Sequence, residues 1–377
     1  ASNVTIRNFN LTDWTYGIRY INADNGVIAN NTVSSNARGF GIYLDSSSDN
    51  VVKDNTASSS ARGIYLSSSS DNVVKDTVSS NNLNGILIFE SSNNNSVMNN
   101  TASSNDEEGI VVAFSSDNNT VTKNTVNDNE RDGIQLFSSN NNDVVGNVVR
   151  QNGVDGIDLS SSSNGNMVTD NYVSSNDKEG IAVRGGSENT VVSKNTVTDN
   201  SFDITAQENT TLEKIDIGSS VFSGTAEDVR VSQTVSPPAD PSNAKNIGVY
   251  FNATDTSAEA FFDVTVEYTD VDVSGVDETQ LSLWSYNGSW TEIPSKLDTN
   301  TNTISANITS FSVFAPLAVQ EQECIDRRNI GRGQEDQECP GDREIDRGGS
   351  RENLDRSTGR DSDTARRDRG RGERGRR

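Results

Sequence analysis

The sequence predicts an all-β protein: a parallel β-helix built from coils of three short strands, then a small antiparallel β-sandwich, then a disordered tail. Three observations carry this reading. A Gly-Ile pair recurs at Gly17, Gly41, Gly63, Gly85, Gly109, Gly133, Gly156 and Gly180, in steps of 22–24 residues. Each pair opens a run such as "GIYL", "GIQL" or "GIDL", in which apolar residues alternate with variable ones, the period of a strand with one buried face. The apolar content is only 31%, thin for a compact α/β core but sufficient for stacked layers that bury themselves against their neighbours.

Two further strands follow in each unit. Asn-x-Val recurs at Asn25, Asn50, Asn72, Asn95, Asn119, Asn142, Asn166 and Asn189, and a second asparagine opens another short run at Asn31, Asn55, Asn100, Asn124, Asn147, Asn171 and Asn195. The third unit lacks that second asparagine and reads "KDTVSS". Most units close on a further asparagine: Asn36, Asn81, Asn105, Asn129, Asn152, Asn176 or Asn200. Three short strands without a helix make one turn of a parallel β-helix. At about 4.8 Å per coil the rod is roughly 40 Å long. Val, Ile and Leu form its inner stacks, the asparagines bond their equivalents in the next coil as ladders, and Gly before Ile is read as a tight corner.

The most regular stretch, "GIYLxSSSDNVVKDNTxSS", resembles the right-handed parallel β-helix repeat family over roughly residues 3–205. That family includes the NosD-like proteins, named for a periplasmic copper-associated factor, and many carbohydrate-active enzymes. The resemblance implies a right-handed parallel β-helix and an exported protein, with a polysaccharide as the expected partner. No copper ligand is carried over, because the chain has no histidine, and Met98 and Met167 are read as packing residues.

The β-helix is expected over 1–217, a closing segment and linker over 218–246 (the linker being "SPPADPSNAKN"), a β-sandwich over 247–319 and the tail over 320–377. The sandwich is read from the alternating runs "IGVYFNA", "FFDVTVEYTDVDV", "LSLWSYNGSWTEI", "NTISANI" and "FSVFAPLA", with a hairpin at Asn287-Gly288. It resembles modules near the C-termini of archaeal and bacterial surface proteins, which implies a spacer or a cap. The tail is almost free of apolar residues and carries both cysteines, Cys324 and Cys339. The chain opens in mid-coil, so missing N-terminal coils or a capping partner are expected to cover its first coil.

Residues 1–319 hold 16 basic and 40 acidic residues, the whole of the net charge of −24. Such a body repels nucleic acid and anionic membrane, and it suits a high-salt, haloarchaeal setting. No run of 18 apolar residues is present to span a membrane, and Asn-x-Ser/Thr sites suit an exported or cell-surface glycoprotein. The absence of histidine excludes Ser-His-Asp and Cys-His catalysis and every histidine metal site. Carboxylates remain. Asp132, Asp155, Asp158 and Glu179 are the candidates for acid, base or nucleophile in glycoside cleavage, with Arg131 or Arg184 to hold a sugar acid. The competing reading makes them a solvated acidic face. No cofactor is required, although stacked acids invite Ca²⁺ or Na⁺. Tyr43 above Tyr65 is expected to form an exposed step for sugar rings. The expected function is a structural or glycan-binding surface module; the alternative is a polysaccharide hydrolase or lyase.

Overall fold

The computed structural model describes residues 2–36, 38–218, 220–234 and 236–320; the expected tail, beyond its first residue, lies outside them. The eight Gly-Ile runs and a ninth run, "FDITA", form the long strands: Tyr16–Ile21, Phe40–Asp45, Arg62–Ser67, Asn84–Phe89, Ile110–Ala113, Ile134–Phe137, Ile157–Ser160, Glu179–Val183 and Phe202–Ala206. They pair in parallel and in register, Ile18 to Ile42 to Ile64 to Ile86 to Ile110. The two shorter strands of each coil, such as Val51–Lys53 and Thr56–Ser58, stack in the same way on their equivalents. Inward residues such as Ile42, Leu44, Val52 and Ala57 are fully buried. Each large one contributes roughly 2 kcal/mol of burial.

Polar ladders fill the corners of the rod. In the first, Asn72 Oδ1 accepts both the backbone N–H (2.9 Å) and the side-chain Nδ2 (3.1 Å) of Asn50, and the pattern repeats through Asn95, Asn119 and Asn142. The second runs through Asn31, Asn55, Asn100, Asn124, Asn147, Asn171 and Asn195, with Thr77 taking the place of the missing asparagine. The third runs Asn82, Asn105, Asn129, Asn152, Asn176 and Asn200. A serine ladder through Ser47, Ser69, Ser92, Ser116, Ser139, Ser163 and Ser187, which the repeat pattern did not reveal, closes the remaining corner. Backbone donors that the corners turn toward the interior thus find partners one coil away.

Three expectations change. Asn25, Asn189 and Asn81 are not rungs: they lie one residue before the ladder positions held by Gly26, Thr190 and Asn82, with left-handed φ of 57°, 56° and 55°. The Gly-Ile glycines are not corners either. They sit at the start of the long strands, where a Cβ on Gly85 would lie 2.3 Å from the Gly109 carbonyl oxygen and 2.9 Å from Asn105 Nδ2. Glycine is required there by close approach of coils. The left-handed corners fall instead to short polar residues such as Asp49, Asp71, Asn94 and Asn118, which tolerate that conformation.

The third change concerns residues 218–246. The closing segment consists of two full strands, Ser220–Glu227 and Val229–Gln233, and the segment read as linker contributes a short strand of its own, Ala244–Asn246. The rod's last long strand, Phe202–Ala206, pairs with Val229–Gln233, which pairs with Phe251–Asp255, and Val313–Val319 and Leu281–Tyr286 follow. The short-strand side continues through Thr210–Ile217, Ser220–Glu227, Phe261–Glu267 and Thr303–Ile308. Both faces of the β-helix therefore run on, now antiparallel, as the two sheets of the sandwich. One apolar core extends from Ile18 to Ala318, with Phe222, Phe251, Phe262 and Phe314 fully buried at its sandwich end. The proline-rich segment lies along the sandwich: Ala244–Asn246 pairs with Val313–Val319, and the Trp290 indole donates to the Ala239 carbonyl at 2.8 Å. The hairpin at Asn287-Gly288 joins Leu281–Tyr286 to Trp290–Glu292, with Gly288 at φ 78°.

Candidate functional site

The long strands project two columns of side chains outward. One, the residue before each glycine, runs Tyr16, Phe40, Arg62, Asn84, Glu108, Asp132, Asp155, Glu179; the other, two after it, runs Arg19, Tyr43, Tyr65, Leu87, Val111, Gln135, Asp158, Ala182. The chemistry changes along the rod. It is aromatic and cationic in the first coils, apolar where Leu87, Val111 and Ala113 cluster with Tyr65, Phe89 and Phe137, and acidic beyond.

At the aromatic end Tyr43 and Tyr65 stack with centroids 5.0 Å apart, and Phe40 lies 4.8 Å from Tyr43 and 5.3 Å from Tyr65. Tyr16 stacks on Phe40 at 5.3 Å. Arg19 lies over the Tyr16 and Tyr43 rings, and Arg62 over Phe40 and Tyr65, at 4.7–5.5 Å. Parallel stacking forces this contact, because equivalent residues of successive coils lie one strand spacing apart. Tyr43 and Tyr65 are consequently half-buried, with their faces against neighbouring rings instead of open to solvent. At this end of the rod the exposed rings are Trp14 (62%), Phe9 (55%) and Tyr16 (37%), all on the first coil. No periodic signal marks Trp14 or Phe9, whose backbone N–H groups donate to the ladder asparagines Asn36 and Asn31 of the next coil.

The four carboxylates do come together, but not as a solvated face: Asp155 is fully buried, Asp158 is 2% exposed, and Asp132 and Glu179 are each 6% exposed. They form a ladder of their own. Asp132 Oδ1 accepts the Asp155 backbone N–H at 3.0 Å, and Asp155 Oδ1 accepts that of Glu179 at 3.1 Å. Arginines supply the counter-charge. Arg184 pairs with Asp155 and, through Nε at 2.8 Å, with Asp158; Arg230, from the sandwich, lies 3.7 Å from Glu179; Arg131 pairs with Glu108 at 3.1 Å. Ser160 Oγ donates to Asp158 at 2.8 Å. Asp132 has no cation among the described residues and takes only Gln135 Nε2, at 3.0 Å, on its second oxygen. Burial, with the charges of Asp158, Asp155 and Glu108 added, pushes its carboxyl up to about 7 against the opposing Asp155 N–H. Burial also raises Asp158, held back by Arg184, and burial, with the hydrogen bond and charge of Asp155 added, raises Glu179. Among the described residues no group of three or more His, Cys, Asp or Glu side chains is arranged to hold a metal ion. Met98 and Met167 face outward in different columns of the short strands and are not core packing, Met167 being 39% exposed.

The model of the right handed beta helix region matches residues 1–149, and that of the periplasmic copper-binding protein NosD matches residues 87–220. No curated protein matches the sequence. Among solved structures the chain is similar to the periplasmic alginate epimerase AlgG, at 18% identity and TM-score 0.45, over 52% of this chain and 60% of that one. It is also similar to pectate lyase Pel9A, at 14% identity and TM-score 0.46, over 57% and 66% of the two chains. The Dettilon tailspike protein is similar at 11% identity and TM-score 0.45, over 84% and 86%. The chain thus spans about 60% of the epimerase's length. Among the described residues no helix is long and apolar enough to cross a membrane. With nine in-register coils and the matching repeat model, the chain is a right-handed parallel β-helix repeat protein.

Proposed function

We propose that this chain is an exported glycan-binding module and that its platform is the outward face of the first three coils. One observation carries the reading: a continuous row of rings and guanidinium groups, Tyr16, Arg19, Phe40, Tyr43, Arg62 and Tyr65, on the coils that also carry the exposed Trp14. Rings stacked on one another make a stiff, flat ridge. Trp14 and the exposed part of Tyr16 offer apolar surface to a sugar ring, and the arginines offer donors. Binding is tested by affinity electrophoresis against neutral and acidic polysaccharides at high and low salt. Retardation without depolymerisation, weakened about 10-fold by Trp14→Ala with Tyr16→Ala, is the expected result. An unretarded protein overturns the reading.

Catalysis by the acidic cluster is the second reading, and the near-neutral carboxyl of Asp132 favours it. Against it, every carboxylate is buried and held by a backbone N–H, an arginine or both, whereas a general acid must reach the substrate. Release of reducing ends or unsaturated oligosaccharides, abolished by Asp155→Asn, decides for this alternative.

A further inference from the structure

Resting on the glycan-binding reading, we infer that the module selects acidic polysaccharides and that Arg62 is the residue that reads their negative charge. A partly buried arginine in so acidic a body is expected to find carboxylates, and Arg184 and Arg230 do. Of the six basic residues in 1–76, Arg19 pairs with Asp45 at 2.6 Å, Lys53 with Asp54 at 4.0 Å and Lys75 with Asp76 at 3.8 Å; the exposed Arg7 and Arg38 and the partly buried Arg62 have no ion pair among the described residues. Arg62 has no ion pair among the described residues, and its buried Nε has no hydrogen-bond partner. The neighbouring acids are already engaged: Asn84, next in its column, donates to Glu107 and Glu108 at 2.9 and 2.8 Å, and Arg131 takes Glu108. Stacking against Phe40 and Tyr65 fixes the guanidinium plane, so its fork is preorganised for a bidentate oxyanion.

The charge distribution says where such a ligand fits. Residues 1–76 hold 6 basic and 7 acidic residues, whereas 77–319 hold 10 and 33. A polyanion is repelled by the later coils and meets near-neutrality only at the aromatic end. Arg38, exposed and also without an ion pair among the described residues, stands in the turn whose Gly39 carbonyl accepts the Arg62 N–H at 3.2 Å. It offers a second positive point one coil away.

The test is binding of the full chain to polygalacturonic acid and to its methyl ester, which keeps the sugar skeleton and removes the charge. The acid form is expected to bind at least about 10-fold more tightly, and increasingly so at low salt. Arg62→Gln is expected to remove about 10-fold of affinity for the acid form and much less for the ester, so that the preference for the acid shrinks. Arg62→Lys, which keeps the charge without the fork, is expected to fall between. If Arg62→Gln fails to fold, Arg38→Gln at the exposed neighbour is expected to weaken the acid form several-fold. Equal binding of acid and ester, or acid binding indifferent to the arginine variants, overturns the inference and leaves the glycan reading standing. Absence of binding to either form, and to neutral glycans, overturns the glycan reading itself.

Discussion

Asp132→Asn is expected to make the protein more stable at pH 8 and to change nothing near pH 4. The buried carboxyl moves from 3.8 in the unfolded chain to about 7 in the folded one. A raised acid contributes stability that is full below pH 3.8 and lost as pH rises through about 7. At about 1.4 kcal/mol for each tenfold change in proton affinity, the loss amounts to roughly 4 kcal/mol at the alkaline end. Asparagine preserves the geometry. Its Oδ1 still accepts the Asp155 N–H, and Gln135 need only turn its amide to accept from the new Nδ2. The protein already places asparagine in this column, at Asn84. Guanidinium unfolding of both proteins at pH 4, 6 and 8 measures the effect. The expected difference is near zero at pH 4 and reaches about 2–4 kcal/mol at pH 8. A variant that is less stable at pH 8, or whose advantage does not change with pH, refutes the argument that Asp132 is charged and uncompensated there.

Thr77→Asn restores the broken rung: Asn55 N–H now reaches Thr77 Oγ1 at a long 3.4 Å, and an asparagine supplies the missing side-chain contacts. A gain of about 1 kcal/mol in chemical denaturation is expected, and a loss would contradict the ladder account. Asn124→Ala removes four contacts of 2.9–3.1 Å and leaves the buried Asn100 N–H without its acceptor. Its expected cost is about 3 kcal/mol, read as a lowered denaturation midpoint. Gly85→Ala places a Cβ against the Gly109 carbonyl and is expected to cost about 3 kcal/mol; a neutral melting temperature would show that the coils can part.

Much of this was legible beforehand because a repeat states its own register. Alternation around each Gly-Ile placed Ile42, Leu44, Ile64 and Leu66 inside, and they are fully buried. The ladders were legible to within one residue. Asn25, Asn81 and Asn189 misled because asparagine serves two purposes here, as the inward rung and as the left-handed corner before it. The glycines misled for a similar reason: composition reveals that a Cβ is forbidden, but not whether a positive φ or a neighbouring coil forbids it. Of the candidate site, the columns were readable but their exposure was not. Tyr43 and Tyr65 turned their faces to each other, and the open ring, Trp14, carries no periodic mark.

The sequence by itself determined the coil: its length, its three strands, its inward stacks and the two columns that face outward, all of which depend on local period alone. Only the tertiary structure decided that the rod's two faces continue as the sandwich sheets, through the pairing of Phe202–Ala206 with Val229–Gln233 and of Thr210–Ile217 with Ser220–Glu227. It alone decided that the acids are buried, since their counter-charges come from elsewhere: Arg184 reaches Asp155 from 29 residues away, and Arg230 reaches Glu179 from the sandwich. An outward side chain is buried or free according to what its spatial neighbours do, and period-2 alternation contains no record of them.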